Sequence, residues 1–154
     1  MNKQLSQRKA TIDDLKSIIS LLLEDDLGKT REYLDQEMDK RYVEAFYKIE
    51  SDPNQYLMVV LNNKEIIATC HLTLIPSLTF KGSTRLQIEA VRVSQKWRGK
   101  KIGEWMMQAA IEYGKSHGAS IIQLTTNKQR LKAKAFYERL GFEATHEGMK
   151  LILV

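Results

Sequence analysis

The 154-residue sequence predicts a protein of the α/β (α+β) class, with a mixed, largely antiparallel central sheet flanked by helices. The length fits a single hydrophobic core, so we expect residues 1–154 to form one domain. Hydrophobic residues make up 43% and charged residues 28%, an ordinary balance for a globular protein. Apolar residues recur with strand and helix periods in the order β-α-α-β-β-β-α-β-α-β, which indicates a sheet covered by helices.

The first elements lie before residue 62. A short strand is expected over residues 3–9, and Thr11 suits the N-cap of a helix. A second helix is expected over residues 39–50, and the turn at 51–54 ends it. The first helix places its apolar side chains on one face: Ile12, Leu15, Ile18, Ile19 and Leu22.

The later elements are separated by turn signals. Residues 62–64 join a strand at 56–61 to the next one, a pattern typical of a hairpin. The run 121–126 is apolar on both faces, which we interpret as an interior strand. We expect the remaining strands at 65–75 and 84–93, helices at about 100–117 and 128–140, and one or two strands within 142–154.

Charge and cysteine content limit the classes of partner. The net charge of +5 and the pI of about 9.3 favour an anionic partner. A nucleic-acid-binding module is disfavoured because the sequence has no recognition helix or interleaved aromatic residues, so we expect no nucleic acid partner. No apolar run approaches membrane-spanning length, and the N-terminal residues lack the apolar core of a signal peptide, so we expect no membrane association. The single cysteine, Cys70, fits a reducing, cytoplasmic location.

The histidines do not have the spacing of a metal site. His71, His117 and His146 lie far apart in sequence, and there is no CxxC pair. We therefore expect no metal. Cys70 and His71 are adjacent on a strand and point to opposite faces, so they cannot form a catalytic dyad.

The strand over residues 84–93 changes its apolar phase. Leu86, Ile88 and Ala90 occupy even positions, whereas Val91 and Val93 occupy odd ones. One extra residue in the strand, a β-bulge near Ala90–Val91, would repair the phase and leave a backbone N–H near Val91 unpaired. A strand buried on both faces would explain the same pattern.

A basic turn follows this strand. Residues 95–105 read QKWRGKKIGEW and contain four cations before the first acid, Glu104. Cations at a helix N-terminus oppose the helix dipole, whereas a bound anion there would be stabilised by the backbone N–H groups and the lysines. The P-loop and dinucleotide-binding patterns do not match, so the turn predicts a different phosphate site.

The segment Arg98–Gly103 resembles the [Q/R]-x-x-G-x-[G/A] signature of the GNAT family of N-acetyltransferases. The resemblance covers roughly residues 84–144, from the strand LQIEAVRV through IIQLTTNK to KAFYERLGF. It implies an acyl-CoA N-acyltransferase fold and an enzyme that transfers the acetyl group of acetyl-CoA to an amine. One departure is Lys101, which stands where the signature has its first glycine.

The resemblance also implies the site residues. Glu89 would be the general base, acting directly or through water, and partial burial is expected there; the alternative is a Glu89 that only pairs with Arg85 or Arg92. Tyr137 would protonate the CoA thiolate; the alternative is a core aromatic. The residues implied to bind acetyl-CoA are Val91, Arg92, Val93, Arg98, Gly99, Lys100, Lys101, Ile102, Gly103, Glu104 and Asn127.

The acceptor side is less defined. His71 and Gln87 lie on strand faces that coincide if their strands pair, which would make a polar floor for the amine; a solvent-facing side of the sheet is the alternative. Glu24 lies in the acidic segment that often lines the acceptor cleft in this family, although exposed helix-end charge also explains it. A regulator that binds acyl-CoA without turnover is the alternative function, and a homodimer is the alternative to a monomer.

Overall fold

The computed structural model describes residues 4–154. They form two compact units, one extending to Gln123 and the other comprising Leu124–Val154. The expectation of a single domain stays a prediction. Residue 3, with which the first predicted strand began, lies outside the described residues.

The helices and strands lie close to their predicted positions. Residues 12–14 form a 3₁₀ turn before the first helix, and the acidic Asp14 accepts hydrogen bonds from Arg8 there. The elements are β1 (Leu5–Lys9), α1 (Leu15–Leu23), α2 (Lys40–Ser51), β2 (Gln55–Asn62), β3 (Glu65–Pro76), the single turn α3 (Thr79–Gly82), β4 (Thr84–Val93), α4 (Ile102–Ser116), β5 (Ala119–Leu124) and α5 (Leu131–Arg139).

The strands form a five-stranded sheet in the order β1-β2-β3-β4-β5. The pairs β1/β2, β2/β3 and β3/β4 are antiparallel, which confirms a largely antiparallel sheet. The predicted hairpin between β2 and β3 is also confirmed, and its turn residue Asn63 has a φ of 56°. The sheet therefore orders its strands as the chain does.

Helices cover both faces of the sheet. On one face α4 packs closely, because a Cβ added at Gly114 would lie 3.0 Å from the Leu86 side chain. On the other face Val59 belongs to a core with α1 and α2 that includes Ile18, Ile19 and Phe46. Cys70 is completely buried in the core.

Two expectations for the C-terminal part are wrong. The strand β5 lies at the edge of the sheet rather than in its interior. An apolar pattern on both faces reports that both faces are covered, and β5 is half-buried on both, but the pattern does not report a neighbour on each edge. Within residues 142–154 the structure has no strand. The last helix also begins later than the predicted residue 128, at Leu131, because Asn127 first forms a turn with Gln129 and Arg130.

Candidate active site

A β-bulge interrupts β4 where the apolar phase changes. Thr69 of β3 pairs with Arg92, and His71 pairs with Glu89, so the single residue Cys70 lies opposite both Ala90 and Val91. Ala90 has a φ of 50°, a left-handed conformation that costs a non-glycine residue roughly 1–2 kcal/mol. The predicted bulge is therefore confirmed. Bulges and strained residues of this kind commonly lie at functional sites.

A tight turn connects β4 to α4. After a 3₁₀ turn at Gln95–Trp97, the backbone has a φ of 72° at Gly99 and of 63° at Lys101. Both values lie in the left-handed region that glycine adopts without steric cost. Lys101 thus adopts a backbone conformation that favours glycine, the residue that the signature has at this position, and its side chain is exposed.

The N-terminus of α4 has no side-chain cap. The first intrahelical hydrogen bond of the turn runs from the N–H of Trp105 to the carbonyl of Lys101, at 3.1 Å. The preceding N–H groups, of Ile102, Gly103 and Glu104, have no intrahelical partner in a helix of this geometry. The N-cap residue, Lys101, has no side-chain oxygen that could accept from them. An anion is the ligand that these groups and the helix dipole favour.

Cationic side chains surround this helix end. Lys96, Arg98, Lys100 and Lys101 are exposed. The ammonium groups of Lys96 and Lys100 lie 5.6 Å and 4.9 Å from the ring centre of the buried Trp97, which holds them near the turn. Together with the uncapped start of α4, these cations form a site that favours an anion.

Two acids at the end of α1 fasten the same segment. The Glu24 carboxylate accepts a hydrogen bond from the backbone N–H of Gln95 at 2.8 Å. Asp25 forms an ion pair with Arg92 at 3.6 Å, and Arg92 also donates to the carbonyl of Val91 at 2.8 Å. Glu24 and Arg92, predicted to bind substrate and cofactor, therefore have structural contacts that hold the end of β4 and the start of the turn.

A row of polar side chains crosses the sheet beside the bulge. In register, His71 lies opposite Glu89 and Thr73 lies opposite Gln87. Gln87 accepts a hydrogen bond from Gln123 of β5 at 2.7 Å. The coincidence of the two strand faces, on which the predicted polar floor depended, is confirmed. We call this set the polar row: Gln55, His71, Thr73, Gln87, Glu89 and Gln123.

Glu89 is not held as a structural ion pair. Arg85 donates to Ser77 and Thr79 at 2.9 and 2.8 Å, and Arg92 pairs with Asp25. Among the described residues the Glu89 carboxylate forms no salt bridge. Glu89 and the next residue, Ala90, are both exposed, so the expected partial burial is wrong: the strand is not covered where the bulge begins.

His71 lies half-buried within the polar row. Burial lowers the pKa of His71, and the nearby Glu89 carboxylate opposes this effect and raises the pKa less than burial lowers it. The imidazole is therefore neutral at pH 7 and can accept a proton.

Asn127 and Tyr137 belong to the second compact unit. The Asn127 side-chain oxygen accepts from the N–H of Gln129 at 2.9 Å. The half-buried Tyr137 ring contacts Phe136 and Phe142 edge-on, with centroids 5.3 and 6.0 Å away. These ring contacts fix the orientation of Tyr137 on α5, and the proposed roles of both residues stay predictions.

The sequence contained no signal for three residues that the structure connects to this region. Asp25 was visible only as part of an acidic run, and Gln55 stands at a strand start where nothing in its type or spacing indicates a partner. Gln123 joins the polar row through a contact with Gln87, 36 positions away in sequence. Such long-range side-chain pairs depend on strand order, which the local pattern does not determine.

The sheet has a bulged fourth strand, and a cationic, uncapped helix N-terminus follows it, which together suit an anionic ligand. The acetyltransferase (GNAT) family model matches residues 17–142. An aminoalkylphosphonate N-acetyltransferase of Salmonella typhimurium is 29% identical over 140 residues, covering 90% of this chain and 85% of that protein. The chain belongs to the GNAT family of acetyl-CoA-dependent acyltransferases.

Solved structures share this fold. A transcriptional regulator from Bacillus halodurans is 42% identical, with a TM-score of 0.94 and coverage of 97% of this chain and 100% of that one. A predicted acetyltransferase with acetyl-CoA from Clostridium acetobutylicum has a TM-score of 0.74, 22% identity and 97% coverage of both chains. At that identity the second likeness concerns the fold alone.

Across residues 4–154, no group of three or more His, Cys, Asp or Glu side chains is arranged to hold a metal ion. Over the same range no helix is long and apolar enough to span a bilayer.

Replacing Lys101 by Gly should leave the protein as stable as the wild type or slightly more stable. Glycine removes the cost of the left-handed backbone, roughly 1–2 kcal/mol. Its greater freedom in the unfolded state destabilises the folded state by about 0.5–1 kcal/mol, which offsets part of that gain. Lys101→Ala is the matched control, since it removes the same charge and keeps the strain. Thermal unfolding measures the order of stability of the variants, and a Gly variant less stable than the Ala variant would contradict the prediction.

We expect the acetyl-CoA affinity of Lys101→Gly to change by less than about tenfold, because the lost attraction to phosphate opposes the closer approach of the backbone.

Proposed function

We propose that this protein transfers the acetyl group of acetyl-CoA to a primary amine of a small molecule or peptide, by direct attack in a ternary complex. The observation that carries the proposal is the bulge at Ala90–Val91, followed after the connecting basic turn by the cationic, uncapped start of α4 at Ile102. A strand that opens beside an anion site suits a ligand with an extended thioester arm and a diphosphate. A cytoplasmic location stays a prediction.

Both backbone groups and side chains would bind acetyl-CoA. The N–H groups at the start of α4 and the cations of the turn would hold the phosphates. Backbone groups of Val91 and Val93 would hold the pantetheine arm, as the family resemblance implies. The full set proposed is Val91, Arg92, Val93, Arg98, Gly99, Lys100, Lys101, Ile102, Gly103, Glu104 and Asn127.

The chemistry needs a proton acceptor, an oxyanion donor and a proton donor. Glu89 takes the proton of the amine, directly or through water, as the nitrogen bonds to the acetyl carbon. A backbone N–H near Val91, freed by the bulge, stabilises the oxyanion. Tyr137 donates a proton to the CoA sulfur as the carbon–sulfur bond breaks. His71, Gln87 and Glu24 are proposed on the acceptor side, where His71 and Gln87 belong to the polar row.

Thermal unfolding with acetyl-CoA tests the binding step. A ligand present at about 100 times its dissociation constant stabilises the folded state by about 2.7 kcal/mol, which corresponds to a shift of about 5–10 °C in a chain of this size. Dephospho-CoA, which lacks the 3′-phosphate, should give a smaller shift. No shift with acetyl-CoA would refute the proposal.

An amine panel with detection of released CoA thiol tests turnover. The panel should contain an aminoalkylphosphonate, because the Salmonella relative carries that name, together with α-amines and lysine-containing peptides. A regulator that binds acyl-CoA without turnover is the second candidate, favoured by the Bacillus halodurans relative described as a transcriptional regulator. Binding of acetyl-CoA with no turnover of any amine would select the regulator.

Reversing the charge at Arg98 should weaken acetyl-CoA binding. Arg98→Glu removes a charge-assisted phosphate contact and adds repulsion, so we expect the dissociation constant to rise about 10–100-fold. Lys115→Glu makes the same charge change in the last turn of α4 and should leave the constant within about threefold. Calorimetric titration measures both, and circular dichroism checks the fold. Equal affinity in the two variants would contradict the location of the phosphate site.

A further inference from the structure

Three side chains form a hydrogen-bonded line that ends at His71. The Gln55 side-chain nitrogen donates to Asp52 Oδ2 at 3.0 Å. The Gln55 Oε1 atom lies 2.7 Å from His71 Nε2. Asp52 is in turn fixed at the end of α2, where its Oδ1 accepts from the N–H of Asn54 at 2.9 Å.

This line determines which ring nitrogen of His71 carries the proton. An ionised carboxylate only accepts hydrogen bonds, so the amide NH₂ of Gln55 must face Asp52 and its oxygen must face His71. The His71 Nε2 atom must then donate. In the neutral ring, the lone pair that can take a proton is on Nδ1.

The groups around His71 favour a role in proton transfer. Glu89 lies directly opposite His71 across the β3/β4 ladder. The charged form of the ring would have the Glu89 carboxylate as its neighbour and the Gln55 oxygen as the acceptor of its other N–H. Both contacts stabilise an imidazolium once it forms.

We propose that His71 accepts the proton of the acceptor amine at Nδ1, and that Asp52 and Gln55 are positioning residues that fix the required tautomer. The proposal deepens the acetyl-transfer function proposed above and rests on it. As the amine nitrogen bonds to the acetyl carbon, its N–H bond breaks and an Nδ1–H bond forms. The positive charge stays on the ring beside Glu89 until the proton passes to solvent. On this assignment His71, and not Glu89, takes the proton from the amine, and the Glu89 carboxylate stabilises the charged ring.

Nitrogen NMR of histidine-labelled protein tests the tautomer without any turnover. In the wild type, Nδ1 should give the signal of an unprotonated ring nitrogen and Nε2 that of a protonated one. Asp52→Asn keeps the side-chain shape and an oxygen for Asn54, but it allows the Gln55 amide to reverse. We expect the tautomer preference to fall by about tenfold, the ratio that one ordinary hydrogen bond supplies. A protonated Nδ1 in the wild type, or an unchanged preference in both Asp52→Asn and Gln55→Leu, would overturn the assignment.

Kinetics of the same variants test the consequence. Asp52→Asn should lower kcat by about the same factor as its tautomer shift, with KM for acetyl-CoA unchanged, and His71→Gln should lower kcat by roughly 10²-fold or more. Asp13→Asn, an exposed carboxylate in the first turn before α1, is the control and should have wild-type kcat. Wild-type rates in His71→Gln would overturn this inference alone, whereas a wild-type protein that acetylates no amine would overturn the proposed function.

Discussion

Glu89→Gln should lower kcat by roughly 10²–10⁴, the usual cost of losing a carboxylate that takes part in proton transfer. The amide keeps the shape of the side chain but cannot take or stabilise a proton. Acetyl-CoA affinity should barely change, since the cofactor is held by backbone groups and the basic turn. The loss should be partly rescued at high pH, where more of the acceptor amine is already neutral.

Steady-state kinetics from about pH 6 to 9.5 measure this effect, because α-amines and lysine-like amines titrate in that range. Glu112→Gln is a matched control: Glu112 is an exposed carboxylate on α4 whose surface ion pair with Lys115 contributes little. Full activity of Glu89→Gln across the whole range would eliminate Glu89 from proton transfer.

Tyr137→Phe should also lower kcat by roughly 10²–10⁴, because the departing thiolate loses its proton donor. The ring contacts with Phe136 and Phe142 survive the change, so the fold should be preserved. High pH should not rescue this variant, since a neutral amine does not protonate sulfur. The two variants are therefore separated by their pH profiles.

Tyr113→Phe is the control for the hydroxyl. Tyr113 is half-buried, and its ring centroid lies 4.6 Å from that of Tyr56 and 4.0 Å from that of His117. No role in acetyl transfer is proposed for it. Its removal should leave kcat within about twofold. If Tyr137→Phe were equally active, Tyr137 would be a packing residue, as its helical spacing with Ala133 and Leu140 allows.

The parts of the fold that depend on local pattern were predictable. The bulge was one of two explanations of a one-residue change of apolar phase, because a strand face repeats every second residue. The turn between β4 and α4 followed from its glycines and cations, and the β2/β3 hairpin followed from Asn62–Lys64. In each case residues close together in sequence determine the local structure.

The parts that depend on distant partners were not predictable. The edge position of β5 is set by strand order. An edge strand covered on both faces has the same apolar pattern as an interior strand, so the pattern does not distinguish the two. The contact of Gln55 with His71 spans 16 positions and exists only because β2 and β3 pair in one register. The one or two strands expected within residues 142–154 would each have needed a neighbouring strand to pair with, which the local pattern does not reveal.

The isolation of Cys70 has a practical consequence for every rate experiment above. Its burial raises the pKa of the Cys70 thiol to about 12, and the thiolate is the reactive form toward disulfide reagents. A thiol-specific dye added to a folded sample therefore reports released CoA without background from the enzyme. In denaturant the same dye should titrate one thiol per chain, since the sequence has one cysteine. The unfolded fraction of each variant can thus be counted in the cuvette used for its kinetics, and a lost rate can be assigned to chemistry or to lost fold.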